Sequence, residues 1–470
     1  MKGKADSKRE EAMKRKTLCL VLSLLTFLAV QPLFSEPTPL ERDVDRYLKP
    51  LLDEDLISGS ILIARKGKIE LSKGYGLANR EHNVPCTAET VYRLASVTKT
   101  FTAAAVMILQ DRGLLKVDDP LSKYIPDYPG GDRITLHHLL NHTAGVINYS
   151  ALHDHYRVWA MDHTLDQVID RFKNEPLRFE PGERFEYSNS GYVLLARVIE
   201  IASGQSFGDF LKANIFKPLG MTSSGVDSHT KVIPHRATGH YNMGEEIIQA
   251  PYLYMEYTSG AGALYSTVED MYRWDRGLMA GKLLSPEALE KMYTPGQGNY
   301  GYGWFVREEF GHRLIEHRGG INGFLTMIQR FIDDDVVVIT LFNYVSTFAR
   351  QVNRDLAAIA LGLPVKPVLI PEGVGVEKEK LAELEGTYAV MEQAYTVLME
   401  EGALYFSGPD QPKEKLIPQS EVTFYLRKGN ALLHFPRNEA GVVERMIYQQ
   451  SEHLLPCPKV KVESSGKNDA

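Results

Sequence analysis

Apolar positions follow a two-residue period in two places far apart in the chain. In SGSILIARKGKIELSKGYGLAN they lie on both sides of Lys66–Lys68, the pattern of two strands joined by a turn. FLTMIQRFIDDDVVVITLFN repeats the pattern around Asp333–Asp335. Between these stretches the period lengthens. Ala103 to Gln110 reads as a helix ended by Gly113, and Tyr192–Gly204 (YVLLARVIEIASG) as a second, amphipathic helix closed by a glycine. Strands at both ends with helices and long loops between them predict one antiparallel sheet built from both termini, with a helical region inserted. Residues 36–362 are therefore expected to form one α/β domain.

The pattern changes near Leu363. Three prolines in LPVKPVLIPEGVGVEKEK mark residues 363–375 as a linker. After it come short alternations (GTYAV, YTVLMEEGALYFSG, EVTFYLRKGNALLHF, VVERMIYQQ), which predict a small all-β barrel or sandwich over 376–458. Residues 459–470 are polar and read as a disordered tail.

Composition adds limits. With 44% hydrophobic and 24% charged residues the chain can bury a large core. The net charge of -7 divides unevenly: residues 1–35 carry seven Lys/Arg and three Asp/Glu, leaving -11 on the rest. An acidic body without clustered basic residues argues against nucleic acid as a partner. In the N-terminal segment Lys14, Arg15 and Lys16 precede a 13-residue apolar run from Leu18 to Val30, shorter than the ~20 residues needed to cross a bilayer. Residues 1–35 are read as a signal peptide, with an uncleaved anchor as the alternative. The expected location is periplasmic or extracellular, close to membrane or cell wall. Cys86 and Cys457 would remain after cleavage, either paired or as two small buried residues. HExxH and Cys/His zinc spacings are absent, so no metal is expected.

Three short motifs carry candidate chemistry. Ser96 and Lys99 lie one turn apart ahead of the first helix. A serine hydroxyl needs a base within hydrogen-bond reach, and a lysine can serve if burial lowers its pKa. Taken alone the pair reads more readily as a helix cap, since S-x-x-K also occurs at Ser228/Lys231 and Ser464/Lys467. Tyr187-Ser188-Asn189 precedes the second helix on a loop. A tyrosine beside a lysine can relay its proton, and an asparagine can bind a substrate amide; the plain alternative is a surface loop with an Asn cap. His317-Arg318-Gly319, followed by Gly320, precedes an apolar strand. Glycines there would let a substrate lie along a strand edge, and the alternative is a glycine-rich turn.

The three motifs in this order resemble the serine β-lactamase and penicillin-binding-protein superfamily, best its class C β-lactamase-like branch, which includes DD-peptidases, D-amino-acid peptidases and family VIII esterases. LLNHTAG (139–145), PGERFEYSNSGY (181–192), GAGALYSTVEDMYRW (260–274) and YGYGWFV (300–306) agree with it. The C-terminal segment resembles, more weakly, the lipocalin-like barrel appended to some of these hydrolases. The resemblance implies an acyl-enzyme on Ser96, Lys99 as general base and Tyr187 sharing its proton traffic. It implies substrate contacts from Asn189, His317, Gly319 and Gly320, with the N–H groups of Ser96 and Gly320 as an oxyanion hole. No cofactor is implied, and the substrate would be a small molecule or short peptide. Two departures stand out: His317 occupies the place of the lysine of K-T-G, and Arg318 that of the following Ser or Thr. Efficient β-lactam hydrolysis is therefore not expected. His142 is expected to be a structural loop residue. The expected function is an exported serine hydrolase of D-amino-acid peptidase or esterase type; the alternatives are a β-lactamase or penicillin-binding protein, or a non-catalytic scaffold on the same fold, and an α/β-hydrolase is disfavoured because G-x-S-x-G does not occur.

Overall fold

The computed structural model describes residues 36–460 apart from 244–245, 392, 410 and 451–452. The signal peptide expected over 1–35 and residues 461–470 of the expected tail lie outside the described residues. Among the described residues no helix is long and apolar enough to cross a membrane.

Helix α1 (Pro39–Asp53) opens the described chain. Thr38 caps it, its Oγ1 accepting from Glu41 N at 3.0 Å, and Pro39 suits the first turn. Strands β1 (Gly59–Arg65) and β2 (Lys68–Tyr75) form the first hairpin. β3 (Phe305–Glu309), β4 (His312–Ile321), β5 (Phe324–Phe331) and β6 (Val336–Phe342) come from the far end of the domain. All six make one antiparallel sheet in the order β3-β4-β5-β6-β1-β2, in which β6 pairs with β1, Ile61 opposite Thr340. The sheet is thus closed by the two ends of the domain, as the strand pattern predicts.

Both faces of the sheet are covered, which is why β6 reads VVVITLF without alternation. Ile61, Ile63, Val338 and Phe342 face α1 and helix α5 (Ala349–Ala360). Leu62, Val337, Ile339 and Leu341 face the inserted helical region. At the centre of that region lies α2 (Thr98–Asp111), buried from Thr98 to Leu109, apolar on nearly all sides as a core helix must be. It begins five residues before the expected start. Phe101 stacks on Trp274 of α4 (Val268–Met279), ring centroids 4.1 Å apart. Helix α3 (Asn189–Ser203) ends at Gly204, whose φ of 69° gives the left-handed turn that a residue with a side chain would resist.

No regular element occupies Pro364–Glu377. Eight antiparallel strands between Gly386 and Val460 then close into a barrel, the last pairing with the first through Thr387 and Val460. Lys459 and Val460, expected in the tail, belong to that last strand, because they complete the barrel's closure. The interior is filled by Tyr388, Leu404, Phe424, Leu433, Phe435 and Met446. The barrel meets the α/β domain on the α1 and α5 side: Arg427 pairs with Glu54, Thr347 donates to the Lys428 carbonyl, and Asn430 to Gln351. Cys86 and Cys457 are both free and buried, one in each part.

Candidate active site

Ser96 sits in a single 3₁₀ turn, Ala95–Val97, that runs directly into α2. It is not a helix cap: the capping position is Val97, which offers no side-chain bond. The turn is forced by Ala95, whose φ of 49° lies in the left-handed region that alanine adopts only under constraint. The constraint is visible. Leu94 N donates to the Leu264 carbonyl, Thr326 Oγ1 donates to the Leu94 carbonyl at 2.7 Å, and Thr98 Oγ1 accepts from Leu264 N. Three hydrogen bonds from two distant segments thus fix the backbone on which Ser96 is displayed.

Lys99 lies one turn on, fully buried. Its Nζ is 3.1 Å from Ser96 Oγ, 2.8 Å from Asn189 Oδ1 and 2.9 Å from the Ala261 carbonyl. Burial pushes its pKa well below the ordinary 10.5. The rings of Tyr187 and Tyr192, at 4.9 and 5.6 Å, favour the ammonium, but desolvation outweighs them. A neutral amine has two N–H groups and one lone pair. Asn189 Oδ1 and the Ala261 carbonyl can only accept, so they take the two N–H groups. The lone pair is left for the Ser96 hydroxyl.

Tyr187 lies on the loop before α3, and Asn189 is the first residue of that helix. Burial raises the Tyr187 pKa above its usual 10, with Ser96 and the charge of Arg318 opposing, so the phenol stays protonated. The loop is held from below by His142. Its Nδ1 accepts from Ser188 N at 3.2 Å, its carbonyl accepts from Glu186 N, and its ring packs 4.3 Å from that of Tyr187. His142 is buried, and burial holds it neutral by lowering its pKa well below the ordinary 6.5. The expected structural role therefore acquires a definite object: His142 supports Tyr187.

His317-Arg318-Gly319 lies inside β4, not in a turn. β3 pairs with β4 only as far as Glu316, so the edge from His317 to Ile321 is uncovered on that side. His317 is buried and is turned inward. Nδ1 is 2.8 Å from the Arg318 carbonyl and Nε2 3.0 Å from the Tyr300 hydroxyl. Since the carbonyl can only accept, the proton sits on Nδ1 and Tyr300 donates to Nε2. Burial lowers the His317 pKa to about 3, and the charge of Arg318 acts in the same direction. Tyr300 was within reach of sequence reading, inside YGYGWFV; the Ala261 carbonyl was not, because a backbone acceptor leaves no sequence signal. Arg318 is exposed and lines a separate cavity with Arg307, Glu316 and Arg350. Gly319 fits where nothing larger would. A Cβ there would lie 2.4 Å from the Leu94 carbonyl and from Thr326 Oγ1.

Ser96, Asn189 and Gly320 line a cleft of about 210 Å³ whose other walls include Tyr149, Trp159 and Leu253. Lys99, Gly319 and His317 are not among the residues lining it. A larger cavity, about 740 Å³, around Lys212, Ser223 and His235 holds none of the motif residues. Among the described residues no cluster of His, Cys, Asp and Glu is arranged to hold a metal ion.

Several known proteins are similar to this chain. Penicillin-binding protein 4* of Bacillus subtilis (strain 168) is 30% identical over 427 residues, 83% of this chain and 93% of its own length. That alignment is longer than the α/β domain. The crystal structure of a penicillin-binding protein from Bacillus halodurans superposes with a TM-score of 0.60 at 28% identity, covering 67% of this chain and 98% of that one. An octameric penicillin-binding protein homologue from Pyrococcus abyssi gives a TM-score of 0.61 at 25% identity over 89% of this chain and 99% of that one. The fold is also that of a D-amino acid amidase from Ochrobactrum anthropi SV3 (TM-score 0.61, 24% identity, 69% of this chain and 98% of that one). The beta-lactamase family model matches residues 44–362, the span that holds all three motifs, and the chain belongs to that family.

Proposed function

We propose that the chain is an exported serine hydrolase that cleaves an amide or ester bond through an acyl-enzyme on Ser96. The observation that carries this is the surroundings of Lys99: a buried lysine whose two obligate acceptors leave its lone pair for the Ser96 hydroxyl. Lys99 takes the Ser96 proton as Oγ bonds to the substrate carbonyl carbon. The oxyanion faces the N–H of Ser96, at the entry to α2, and that of Gly320 on the β4 edge. The tetrahedral adduct collapses, the C–N or C–O bond breaks, and the leaving group receives the proton from Lys99 by way of Tyr187. Water then adds to the acyl ester, gives its proton to Lys99, and Ser96 is released protonated.

D-Amino-acid peptides, amides and esters are preferred here over β-lactams. His317 is neutral and both its ring nitrogens are engaged, so it offers no cation for a β-lactam carboxylate. A D-amino acid amidase shares the fold, which favours D-amino-acid derivatives in this reading. Export rests on the basic-then-apolar N-terminus and on the penicillin-binding relatives.

The deciding experiment is an intact-mass spectrum after incubation with a penicillin and, separately, with an activated short-chain ester. An adduct on Ser96, absent from Ser96→Ala, is expected. A fleeting adduct with the ester and a slow or absent one with the penicillin would support the preference. No adduct and no turnover with either would transfer the case to a non-catalytic scaffold.

A further inference from the structure

A second cavity, about 270 Å³, adjoins the catalytic cleft and shares Asn322 with it. Two guanidinium groups line it, and they share one carboxylate. Arg93 Nε is 2.8 Å from Asp227 Oδ2, and Arg236 Nη1 is 3.1 Å from Asp227 Oδ1. Asp227 is buried, and both its oxygens are used in these pairs. One counter-charge is enough to neutralise a buried aspartate, and Arg93, the more buried of the two, supplies it. Arg236, with 38% of its side chain exposed, is then a surplus positive charge on the cavity wall. The remaining N–H groups of both arginines meet no further acceptor among the described residues. Glu256, the nearby carboxylate, is set towards His229 at 3.6 Å and does not line the cavity.

The position matters as much as the charge. Asn322 follows Gly320 by two residues at the end of the uncovered β4 edge. An extended chain advances ~3.3 Å per residue, so a substrate lying along that edge reaches the cavity mouth roughly 7 Å beyond a carbonyl held at Gly320. Thr238, Gln249 and Tyr252 complete walls that suit a polar group.

We propose that this cavity is an anion subsite, in which Arg236 and the free face of Arg93 hold a carboxylate of the substrate one to two residues from the bond that is cleaved. The inference rests on the hydrolase reading. Guanidinium recognises carboxylate through paired, charge-assisted hydrogen bonds, so the carboxylate is distinguished from its own amide.

The test compares two activated phenyl esters of the same length, the half-ester of adipic acid and the corresponding terminal carboxamide. Wild type is expected to show a kcat/KM at least about tenfold higher for the carboxylate, the worth of a hydrogen-bonded charge pair. Arg236→Gln should bring that ratio close to one, and Arg236→Lys, which keeps the charge without the paired N–H groups, should keep only part of it. Thermal melting confirms that each variant folds. A wild-type ratio near one, or a ratio that Arg236→Gln does not change, overturns the subsite. Calorimetric binding of adipic monoamide to Ser96→Ala, with and without Arg236→Gln, separates the two readings. If neither ester is turned over, the hydrolase reading fails, and the subsite stands or falls on whether Arg236→Gln abolishes that binding.

Discussion

The Lys99 amine lies 3.1 Å from the Ser96 hydroxyl in a position with no exposed surface, and nothing around it carries the negative charge that would keep it protonated. Lys99→Met should therefore abolish acylation and stabilise the fold. Burial holds the Lys99 pKa in the folded protein below 10.5. As pH falls below 10.5 the unfolded chain binds a proton that the folded chain does not. Wild-type stability falls through that window, by up to ~1.4 kcal/mol per pH unit, until the folded-state pKa is reached. Methionine has no such dependence. The melting-temperature gap between Lys99→Met and wild type should widen from about pH 10 towards neutrality; a gap that stays constant would contradict the neutral amine.

Asn189 tests the same amine from its other side. Asn189→Asp puts a carboxylate where an amide oxygen now sits 2.8 Å from Lys99 Nζ. An adjacent anion favours the ammonium and raises the pKa. At neutral pH the variant should lose kcat/KM by on the order of a hundredfold, the usual worth of a positioned base. Its rising pH limb should move to higher pH. A variant whose pH profile matches that of wild type would mean that Asn189 does not govern the base.

Much of this was legible in the sequence because it is periodic or local. The hairpins of β1–β2 and β5–β6 show in alternation, and Ser96, Lys99, Tyr187 and Asn189 occupy short motifs next to helix starts. What was not legible depends on distant chain segments meeting. The strain at Ala95 depends on Thr326 and Leu264. His317 looks like a substrate contact until Tyr300, which a strand-edge motif does not reveal, takes its Nε2. Arg93 and Arg236 look like ordinary surface cations until both meet Asp227.

Gly319 is expected to be intolerant of even a methyl group. The added Cβ would meet the Leu94 carbonyl and Thr326 Oγ1 at 2.4 Å and Ala95 Cβ at 3.0 Å. Relief requires moving the turn that presents Ser96. Gly319→Ala should cost about 1–3 kcal/mol of stability and lower kcat more than it raises KM. Denaturant melts and steady-state kinetics check both; an unchanged kcat would show that the turn does not depend on β4.

His317 sets an acid limit on the fold. Its pKa falls from the ordinary 6.5 to about 3 on folding, so the folded state holds it neutral while the unfolded chain protonates it. Its contribution is fully present above pH 6.5 and is lost progressively as pH falls towards about 3. His317→Asn, which keeps a group able to accept from Tyr300, should shift the acid-unfolding midpoint to lower pH. A midpoint that does not move would assign acid unfolding elsewhere, His142 being the next buried candidate.

The barrel offers the last test. Its contacts with the catalytic domain, at Glu54, Thr347 and Gln351, lie with α1 and α5 on one side of the sheet. Ser96 and α2 lie on the other, and among the described residues none after Asn322 lines the cleft at Ser96. Within one chain the barrel thus covers a face and does not reach the substrate. Ending the chain after residue 365 should leave the preference among acyl chain lengths unchanged while lowering the melting temperature. Arg427→Ala alone should cost under about 1 kcal/mol, because its pair with Glu54 is partly exposed. A truncated enzyme that accepts longer or bulkier substrates would require a barrel from a second copy to stand over the cleft. The light-scattering mass of the full-length protein would then have to exceed that of one chain.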